Sequence, residues 1–310
     1  MNLRSFLKVS ACTMACILTA TLSASSQVIK VDTTTFWKKN FRAGLNINQA
    51  SFSSNWKAGG VNSFGFNGLL NYKANYKKNK TSWDNQFDFL YGMVNNAGQG
   101  YRKTLDRIYM ETKVGHDLNS KWSLTTSINF QSQFAKGYKY EKDVNGVEVG
   151  SLISDFFAPA FITSAWGFEY HPVDYFKLSL SPFSPRVTIV SDNNGRFAAV
   201  DPLKPYGVNV GENTRYEWLA FQMQAEFNKD IAQNLNLKFR YLMFANYETL
   251  DLKTIDHRLD IGLTAKVNRF MNVSLGGILI YDYDQDTGVQ LAEAFSLGIL
   301  YSFQNFEEKK

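Results

Sequence analysis

Histidines are the first residues to consider for acid–base or metal chemistry, and the 310-residue sequence has three of them. His116 and His171 lie in short polar turns, whereas His257 lies near the end of a segment with alternating polarity. No two of the three stand at a spacing typical of metal ligands. Turn and strand-end positions explain all three, and His257 is left as the one candidate for a catalytic base.

An acidic segment that begins at Asp282 offers oxygen ligands for calcium. Asp282, Asp284 and Asp286 occupy positions one, three and five of a calcium-binding loop, and Glu293 occupies position twelve. The glycine, Gly288, stands at position seven instead of six, and strand-like segments flank the loop where helices are expected. We therefore keep two interpretations, a calcium site on these four carboxylates and a solvated hairpin turn.

The elements that must position these side chains are strands, because polar and apolar residues alternate along the chain. In the segment 122–134, Trp122, Leu124 and Ile128 share one parity, while Ser123 and Asn129 share the other. Side chains of a strand point alternately to opposite faces, so one face is apolar and the other is polar. No segment shows the apolar i, i+3, i+4, i+7 spacing of an amphipathic helix.

Twelve such segments are predicted, near 39–49, 62–77, 81–94, 104–116, 121–135, 157–171, 175–190, 214–228, 234–247, 253–267, 271–282 and 290–304. Short turns alternate with longer connections, and both chain ends fall on the short-turn side, which is typical of outer-membrane barrels. A soluble β-sandwich is the alternative, but its strands average about five or six residues. The sequence predicts an all-β fold: a single twelve-stranded antiparallel transmembrane β-barrel with short periplasmic turns and long extracellular loops.

The polar parity carries charges in mid-strand, as the lumen of a barrel does. The cations are Arg42, Lys73, Lys77, Arg107, Lys113, Lys238, Arg240, Arg258 and Lys266, and the anions are Asp84, Asp88, Glu111, Glu226, Asp256 and Asp260. Barrels of about eight strands are filled by side chains, whereas those of about sixteen hold a water channel. Twelve strands fall between these sizes, so we expect the long side chains to pair across the lumen and narrow it.

Two prolines, Pro182 and Pro185, fall inside the seventh predicted strand. Proline has no amide hydrogen to donate to a ladder. The pair therefore predicts a bulge or an early strand end at this point.

The first 26 residues have the layout of a secretory signal peptide, with Arg4 and Lys8 before an apolar run and small residues up to Ser26. An anchoring helix and a lipoprotein signal at Cys12 are the alternatives, but the apolar run is short for a membrane span. Cleavage removes Cys12 and Cys16, the two cysteines of the sequence, which excludes thiolate sites from the mature chain. The predicted organisation is a cleaved signal at 1–26, a periplasmic segment at 27–38, a barrel at 39–306 and a charged tail at 307–310.

Short motifs are spread along the chain between positions 37 and 303. They are Asn55–Gly60, Trp83–Asn85, Arg102–Arg107, Ile153–Ala160, Leu180–Pro182, Tyr206–Val208 and Tyr281–Asp282. Together they resemble an uncharacterised Bacteroidetes family of outer-membrane β-barrels, the domain-of-unknown-function family 3078. The resemblance implies a compartment, the outer membrane of a diderm cell. It implies no chemistry, because the family has no assigned activity.

All of these motifs except Trp83–Asn85 map to the half of the barrel that carries the long connections. Loops on a rigid scaffold often carry function, so we predict a ligand-binding site or plug at the outer mouth. The candidate residues are Trp56, Arg102, Arg107, Asp155 and Asp282, since arginine and tryptophan bind strongly through few contacts. The alternative is that these residues only fold the loops over the barrel.

The function expected is a narrow channel, or a barrel that binds and takes up a small ligand at its mouth. The alternative is a structural or surface-interaction barrel without transport, and an outer-membrane lipid hydrolase based on His257 is third, without a G-x-S-x-G motif to support it. The chain is otherwise expected not to be an enzyme and to need no cofactor apart from the calcium considered above. Its expected partners are outer-membrane lipids, including lipopolysaccharide, and the barrel assembly machinery of a Gram-negative-type cell. A net charge of +5 is too small to indicate nucleic acid.

Overall fold

The computed structural model describes residues 36–53, 61–268 and 271–305. Sixteen strands cover most of this part of the chain: β1 (Trp37–Ala50), β2 (Ser63–Lys78), β3 (Thr81–Asn96), β4 (Gly100–Asp117), β5 (Trp122–Ser132), β6 (Gly137–Lys142), β7 (Glu148–Ser154), β8 (Ala160–Val173), β9 (Phe176–Phe183), β10 (Arg186–Ile189), β11 (Thr214–Glu217), β12 (Ala220–Ala232), β13 (Leu235–Asn246), β14 (Asp256–Lys266), β15 (Met271–Asp282) and β16 (Asp286–Gln304). Two 3-10 turns, Pro205–Gly207 and Leu252–Thr254, are the helical elements of the described residues. No helix in these ranges is long and apolar enough to cross a membrane.

The main sheet closes on itself. Around the ring the strands follow the order β1, β2, β3, β4, β5, β8, β9, β12, β13, β14, β15 and β16, and β16 pairs with β1. Every pairing in this ring is antiparallel, so each strand is hydrogen-bonded on both sides along at least part of its length. The expected fold, a twelve-stranded antiparallel barrel, is confirmed.

The barrel turns its apolar parity outward and its polar parity inward. On β5, Leu124 and Ile128 are 49% and 53% exposed, whereas Ser127 is 8% exposed. The same pattern continues on β14, where Ile261 faces out and Asp260 faces the lumen. A barrel with an apolar exterior and a polar interior suits a surrounding of lipid.

The seventh and eighth predicted strands are each divided in two. β9 ends at Phe183 and β10 begins at Arg186, so the break expected from Pro182 and Pro185 is confirmed. Across the break, the Ser184 amide donates to the carbonyl oxygen of Ala220 over 2.8 Å. The first residues of β8, Ala160–Thr163, pair with β10, and its later residues, Trp166–Val173, pair with β9. β10 also pairs with β11, so these two short strands extend the wall beyond the break.

Two of the predicted long connections are wrong. Since β3 and β4 are longer than expected, only 97–99 join them, and only 283–285 join β15 to β16.

The predicted loop 135–156 contains a hairpin of β6 and β7 that forms a sheet of its own. The segment 190–213 is ordered around a small apolar core of Ala158, Val190, Phe197, Tyr206 and Val208, and we call this segment the cap. We call the end of the barrel that carries the hairpin and the cap the outer end.

A tag inserted between Asn145 and Gly146 should be labelled on intact cells, because these residues lie in the exposed turn of the β6–β7 hairpin. A tag at Asn79, in the tight turn between β2 and β3, should be labelled only after permeabilisation. Labelling with a membrane-impermeant reagent measures both. The reverse accessibility would show that the outer end faces the periplasm.

Candidate functional site

A belt of side chains crosses the lumen near mid-height. Arg107 on β4 lies with its Nη2 3.4 Å from a carboxylate oxygen of Asp88 on β3 and its Nη1 3.5 Å from one of Asp260 on β14. β4 and β14 stand six places apart in a ring of twelve, so they are opposite walls. The Arg107–Asp260 pair therefore spans the full width of the barrel.

Tyr109 and Arg240 form a second bridge beside the first. The Tyr109 side chain is almost wholly buried, and its hydroxyl accepts a hydrogen bond from Nη2 of Arg240 on β13. The guanidinium carbons of Arg107 and Arg240 lie 5.2 and 4.6 Å from the centre of the Tyr109 ring, within the range of cation–π attraction. We call Asp88, Arg107, Tyr109, Arg240 and Asp260 the belt.

Further charged pairs fill the lumen on the inner side of the belt. Lys113 on β4 donates to the Glu169 carboxylate on β8, and Lys177 on β9 lies 3.8 Å from the same carboxylate. Buried charges are tolerated when they are paired in this way. The expectation that mixed charges pair across the lumen is confirmed by the Arg107–Asp260 pair, and the narrowing of the lumen stays a prediction.

On the outer side of the belt lies a cavity of about 350 Å³, which we call the vestibule. Its apolar lining includes Leu90, Leu105, Phe161, Leu242, Phe244 and Ile278. Its charged lining consists of three arginines and three aspartates, Arg107, Arg186, Arg258, Asp106, Asp256 and Asp282. The volume is within the roughly 300–1,000 Å³ of small-molecule sites, and the formal charges of the lining balance.

Arg186 on β10 is the most constrained cation of the vestibule. Its Nη1 donates to Asp256 over 2.7 Å, and its guanidinium carbon lies 3.3 Å from the centre of the Phe244 ring. The Nε atoms of Arg186 and of Arg107 are buried and have no hydrogen-bond partner among the described residues. Buried donors are normally satisfied, so these two N–H groups are unsatisfied donors of side chains that border the vestibule.

The predicted mouth residues separate into two groups. Arg107 and Asp282 line the vestibule, where Asp282 accepts a hydrogen bond from Nε2 of Gln285. Arg102 and Asp155 lie outside it and hold loops in place. Trp56 lies outside the described residues.

Arg102 attaches the β6–β7 hairpin to the barrel. It donates to the Glu148 carboxylate on β7, and its guanidinium carbon lies 4.0 Å from the centre of the Tyr140 ring on β6. The next residue, Lys103, donates to Asp106 over 2.8 Å and to the carbonyl oxygen of Ala135 over 2.7 Å. The Arg102–Arg107 motif thus fixes the hairpin with its first residues and reaches the lumen with its last.

Replacing Arg102 by alanine should free the hairpin and expose it to protease. We expect trypsin to cleave after Lys139 and Lys142 severalfold faster than in the wild type, as measured by the rate of nicking of the folded barrel. Tyr101→Ala, an exposed neighbour on the same strand, should leave the rate unchanged. Equal rates in Arg102→Ala and wild type would show that the hairpin docks by other contacts.

Low pH should free the hairpin in the same way as the Arg102→Ala substitution. The hydrogen bond from Arg102 lowers the pKa of Glu148 below its usual 4.5. A carboxyl group with a lowered folded-state pKa contributes fully above its unfolded-state pKa and loses that contribution as the pH falls through the lowered value. The mobility of a spin label on the hairpin, measured by electron paramagnetic resonance, should therefore be low at neutral pH and rise as the pH falls through the lowered pKa of Glu148.

Asp155 belongs to the packing of the cap. Its carboxylate accepts from Nη2 of Arg196 over 2.6 Å, and the Tyr206 hydroxyl donates to the carbonyl oxygen of Ile153. Asn193 donates to the carbonyl oxygens of Val208, Asn209 and Glu212, at 3.2, 2.9 and 3.1 Å. Two of the family-like motifs, Ile153–Ala160 and Tyr206–Val208, therefore meet in one folded unit.

The four carboxylates considered for calcium do not converge. Asp282 faces the lumen, Asp284 pairs with Arg215, and Asp286 accepts from the amide of Gly288. Glu293 is opposite Gly277 on the outward parity of β16, so it lies on the other face of the wall from Asp282. No group of three or more metal-ligating side chains occurs in the described ranges. Calcium binding stays a prediction, and this arrangement offers it no ligand set.

His257 lies among aromatic side chains. Its Nδ1 is 2.8 Å from the Tyr241 hydroxyl oxygen, and its ring centre is 6.3 Å from that of Tyr281. His257 has the outward parity of β14 and also borders the vestibule, and its ring neighbours there are aromatic. The contact with Tyr241 pairs the imidazole with a phenol, where the lipid hydrolase considered above needs a serine.

Sequence reasoning missed Tyr109, Arg186 and the hairpin. Tyr109 is an aromatic residue on a parity otherwise occupied by Arg107, Glu111 and Lys113, and that exception was the available signal. Arg186 gave no such signal, because the break at Pro185 interrupts the alternation that would have placed it in the lumen.

The closed antiparallel ring, the apolar exterior and the charged lumen define a transmembrane β-barrel of the outer-membrane class. Residues 47–138 match the model of a family described as "Protein of unknown function (DUF3078)". The family resemblance read from the motifs is confirmed over this stretch, while a Bacteroidetes origin stays a prediction. No curated protein matches the sequence.

Solved outer-membrane proteins share the general architecture at low identity. The translocator domain of the autotransporter NalP from Neisseria meningitidis is 11% identical, with a TM-score of 0.39, over 95% of this chain and 98% of that one. An outer-membrane channel from Pseudomonas putida F1 is 10% identical, with a TM-score of 0.40, over 90% of this chain and 99% of that one. Likeness at this level says nothing about what the chain binds.

Proposed function

We propose that this barrel, in the outer membrane of a Gram-negative-type cell, binds a small ligand in its vestibule and takes it up. The observation that carries the proposal is the belt, which crosses the lumen from one wall to the other. It lies directly on the inner side of the vestibule. Side-chain pairs across the lumen suit a barrel that binds a ligand better than a general porin with a water-filled channel. The barrel also contacts outer-membrane lipids, including lipopolysaccharide, and is inserted by the barrel assembly machinery.

The lining of the vestibule favours an uncharged, largely apolar ligand with an oxygen acceptor. Its aromatic and aliphatic side chains suit an apolar body, as in most small-molecule sites. The balanced arginines and aspartates give no preference for a charged ligand. A change of side-chain rotamer would turn the unpartnered Nε–H of Arg107 or Arg186 toward a hydroxyl or carbonyl oxygen of the ligand.

Binding of 1-naphthol to the purified full-length protein tests this proposal. The Arg186→Gln variant removes one free donor and the stacking on Phe244, and a hydrogen bond to a charged group contributes about 1.5–3 kcal/mol. We therefore expect the Kd of 1-naphthol to rise by roughly tenfold or more. Arg215→Gln, a change at an arginine that does not line the vestibule, is the control and should bind as wild type does. Equal affinity in wild type and Arg186→Gln would reject the vestibule as the site.

A structural or surface-interaction barrel is the second candidate. The cap and the hairpin favour it, because both are ordered units on the outer end and both contain the family-like motifs. A protein that binds no 1-naphthol and shows no conductance would favour this role over uptake.

A further inference from the structure

A second cavity lies on the outer end of the barrel, and we call it the outer cavity. Its volume is about 560 Å³. It lies between the cap, strand β11 and the turn that joins β15 to β16. None of its lining residues lines the vestibule. Its polar lining consists of Lys204, Asn209, Glu212, Thr214, Arg215 and Asp284.

We propose that the outer cavity binds an uncharged saccharide. The proposal is independent of ligand uptake through the vestibule. Three observations support it: the hydrogen-bonding groups of the lining, the balance of their charges and an aromatic side chain at the edge of the cavity.

The lining places hydrogen-bond donors directly beside acceptors. The side-chain amide of Asn209 donates to the Glu212 carboxylate over 3.1 Å, and Arg215 donates to the Asp284 carboxylate. Each of these side chains can form more hydrogen bonds than the one within its pair. A hydroxyl group both donates and accepts, so neighbouring hydroxyl groups of a sugar ring can bind both members of such a pair. The lining therefore suits a ligand with many hydroxyl groups.

The formal charges of the lining cancel. Lys204 and Arg215 are its cations, and Glu212 and Asp284 are its anions. A ligand with a net charge is attracted by one sign and repelled by the other. Hydrogen bonds from hydroxyl groups to these four charged groups are charge-assisted and therefore strong. The lining thus favours an uncharged polar ligand over an acid or an amine.

Tyr216 on β11 supplies an apolar surface at the edge of the outer cavity. Its side chain is 54% exposed and stacks on that of Trp218, with the ring centres 5.7 Å apart and the ring planes within 7° of parallel. Tyrosine offers a large amphipathic contact area at a low cost in side-chain entropy. The C–H groups on one face of a sugar ring would pack on Tyr216, while its hydroxyl groups contact the polar lining.

The cap fixes part of this lining before a ligand binds. Gly207 has a positive φ of 74°, and a Cβ atom at this position would collide with Nη1 of Arg215 and lie 2.9 Å from a carboxylate oxygen of Asp284. The Arg215–Asp284 pair therefore packs directly against the backbone of the family-like motif Tyr206–Val208. Groups that are already in place lose less freedom on binding.

Saturation-transfer difference NMR on the purified full-length protein tests the proposal. The protein is kept in a detergent without a sugar headgroup, and the probes are maltose, cellobiose and lactose, three uncharged disaccharides. We expect saturable binding of at least one of them. Binding of none of the three would overturn the proposal. Tighter binding of glycylglycine, a zwitterion, would overturn it too, because Lys204 and Glu212 would then recognise charge.

Two variants locate the bound disaccharide. We expect Tyr216→Ala to raise its Kd by about threefold or more and Arg215→Gln to raise it by roughly tenfold. Tyr101→Ala and Arg186→Gln are the matched controls outside the outer cavity and should bind as wild type does. Heat-modifiable migration on gels shows which variants are folded, and Tyr216→Ala, at an exposed side chain, keeps the test decisive if Arg215→Gln does not fold. Unchanged affinity in folded Tyr216→Ala and Arg215→Gln would reject the outer cavity as the site.

Competition identifies the source of the saccharide. Purified lipopolysaccharide is added to the protein with the bound disaccharide. Displacement of the disaccharide would assign the site to the sugar part of lipopolysaccharide in the same membrane. Binding that persists would assign it to free saccharides outside the cell. Either result supports a saccharide site.

Discussion

Replacing Arg107 and Arg240 together by alanine should raise the conductance of the barrel. The two guanidinium groups make the bridges across the barrel, to Asp260 and to Tyr109, and alanine leaves both bridges without their cations. A ring of twelve strands is wide enough for water once its filling side chains are shortened. In planar bilayers we expect steady unitary steps from the variant, at a conductance severalfold above any activity of the wild type.

Lys238→Ala is the matched control, because Lys238 faces the same lumen on β13 but is not part of the belt. It should leave the conductance as it is. Loss of one partner of a buried pair can cost about 3–5 kcal/mol, so folding is followed by heat-modifiable migration on gels. If the double variant does not fold, adding Asp88→Asn and Asp260→Asn removes the carboxylates left without cations. A folded variant that stays silent in the bilayer would show that the belt does not limit conduction through the lumen.

Arginine at position 128 should block assembly, whereas arginine at position 129 should not. Ile128 is outward-facing and more than half exposed, while the next residue, Asn129, lines the vestibule. Arginine on the lipid face near the bilayer midplane costs ~2–4 kcal/mol, but in the polar lumen it stays hydrated or paired. The amount of heat-modifiable barrel in outer membranes measures the difference. Similar yields from Ile128→Arg and Asn129→Arg would mean that the two faces of β5 have been exchanged.

The strands could be predicted closely because a bilayer imposes alternation on every residue that crosses it. The segment predicted at 271–282 is β15, with the same bounds, and the others differ by a few residues at their ends, apart from the seventh and eighth, which are each divided in two. The hairpin of β6 and β7 was missed because it stands outside that constraint. The alternation of its side chains, as in Tyr138 and Tyr140, covers only a few residues. This stretch was therefore predicted as part of a loop.

The candidate site could be predicted only in part, because sequence places a residue on a face but does not say what stands opposite. Arg107 and Asp260 were both assigned to the lumen from parity alone. That they meet depends on the closure of the ring, which puts β4 and β14 on opposite walls. Arg102 and Asp155 were assigned to the mouth, and they hold loops instead, since a motif shared by a family marks folding contacts as readily as binding ones.

The cap has a consequence for how other molecules meet the cell surface. Phe197 and Val190 are fully buried in its core, and Arg215 ties the neighbouring strand to Asp284 in the turn between β15 and β16. A loop with a core of its own keeps one shape, so the surface it shows to an antibody or a phage tail is assembled from segments distant in sequence. Recognition of this face is therefore conformational, and sequence can drift at its exposed positions while the buried residues preserve the shape that is recognised.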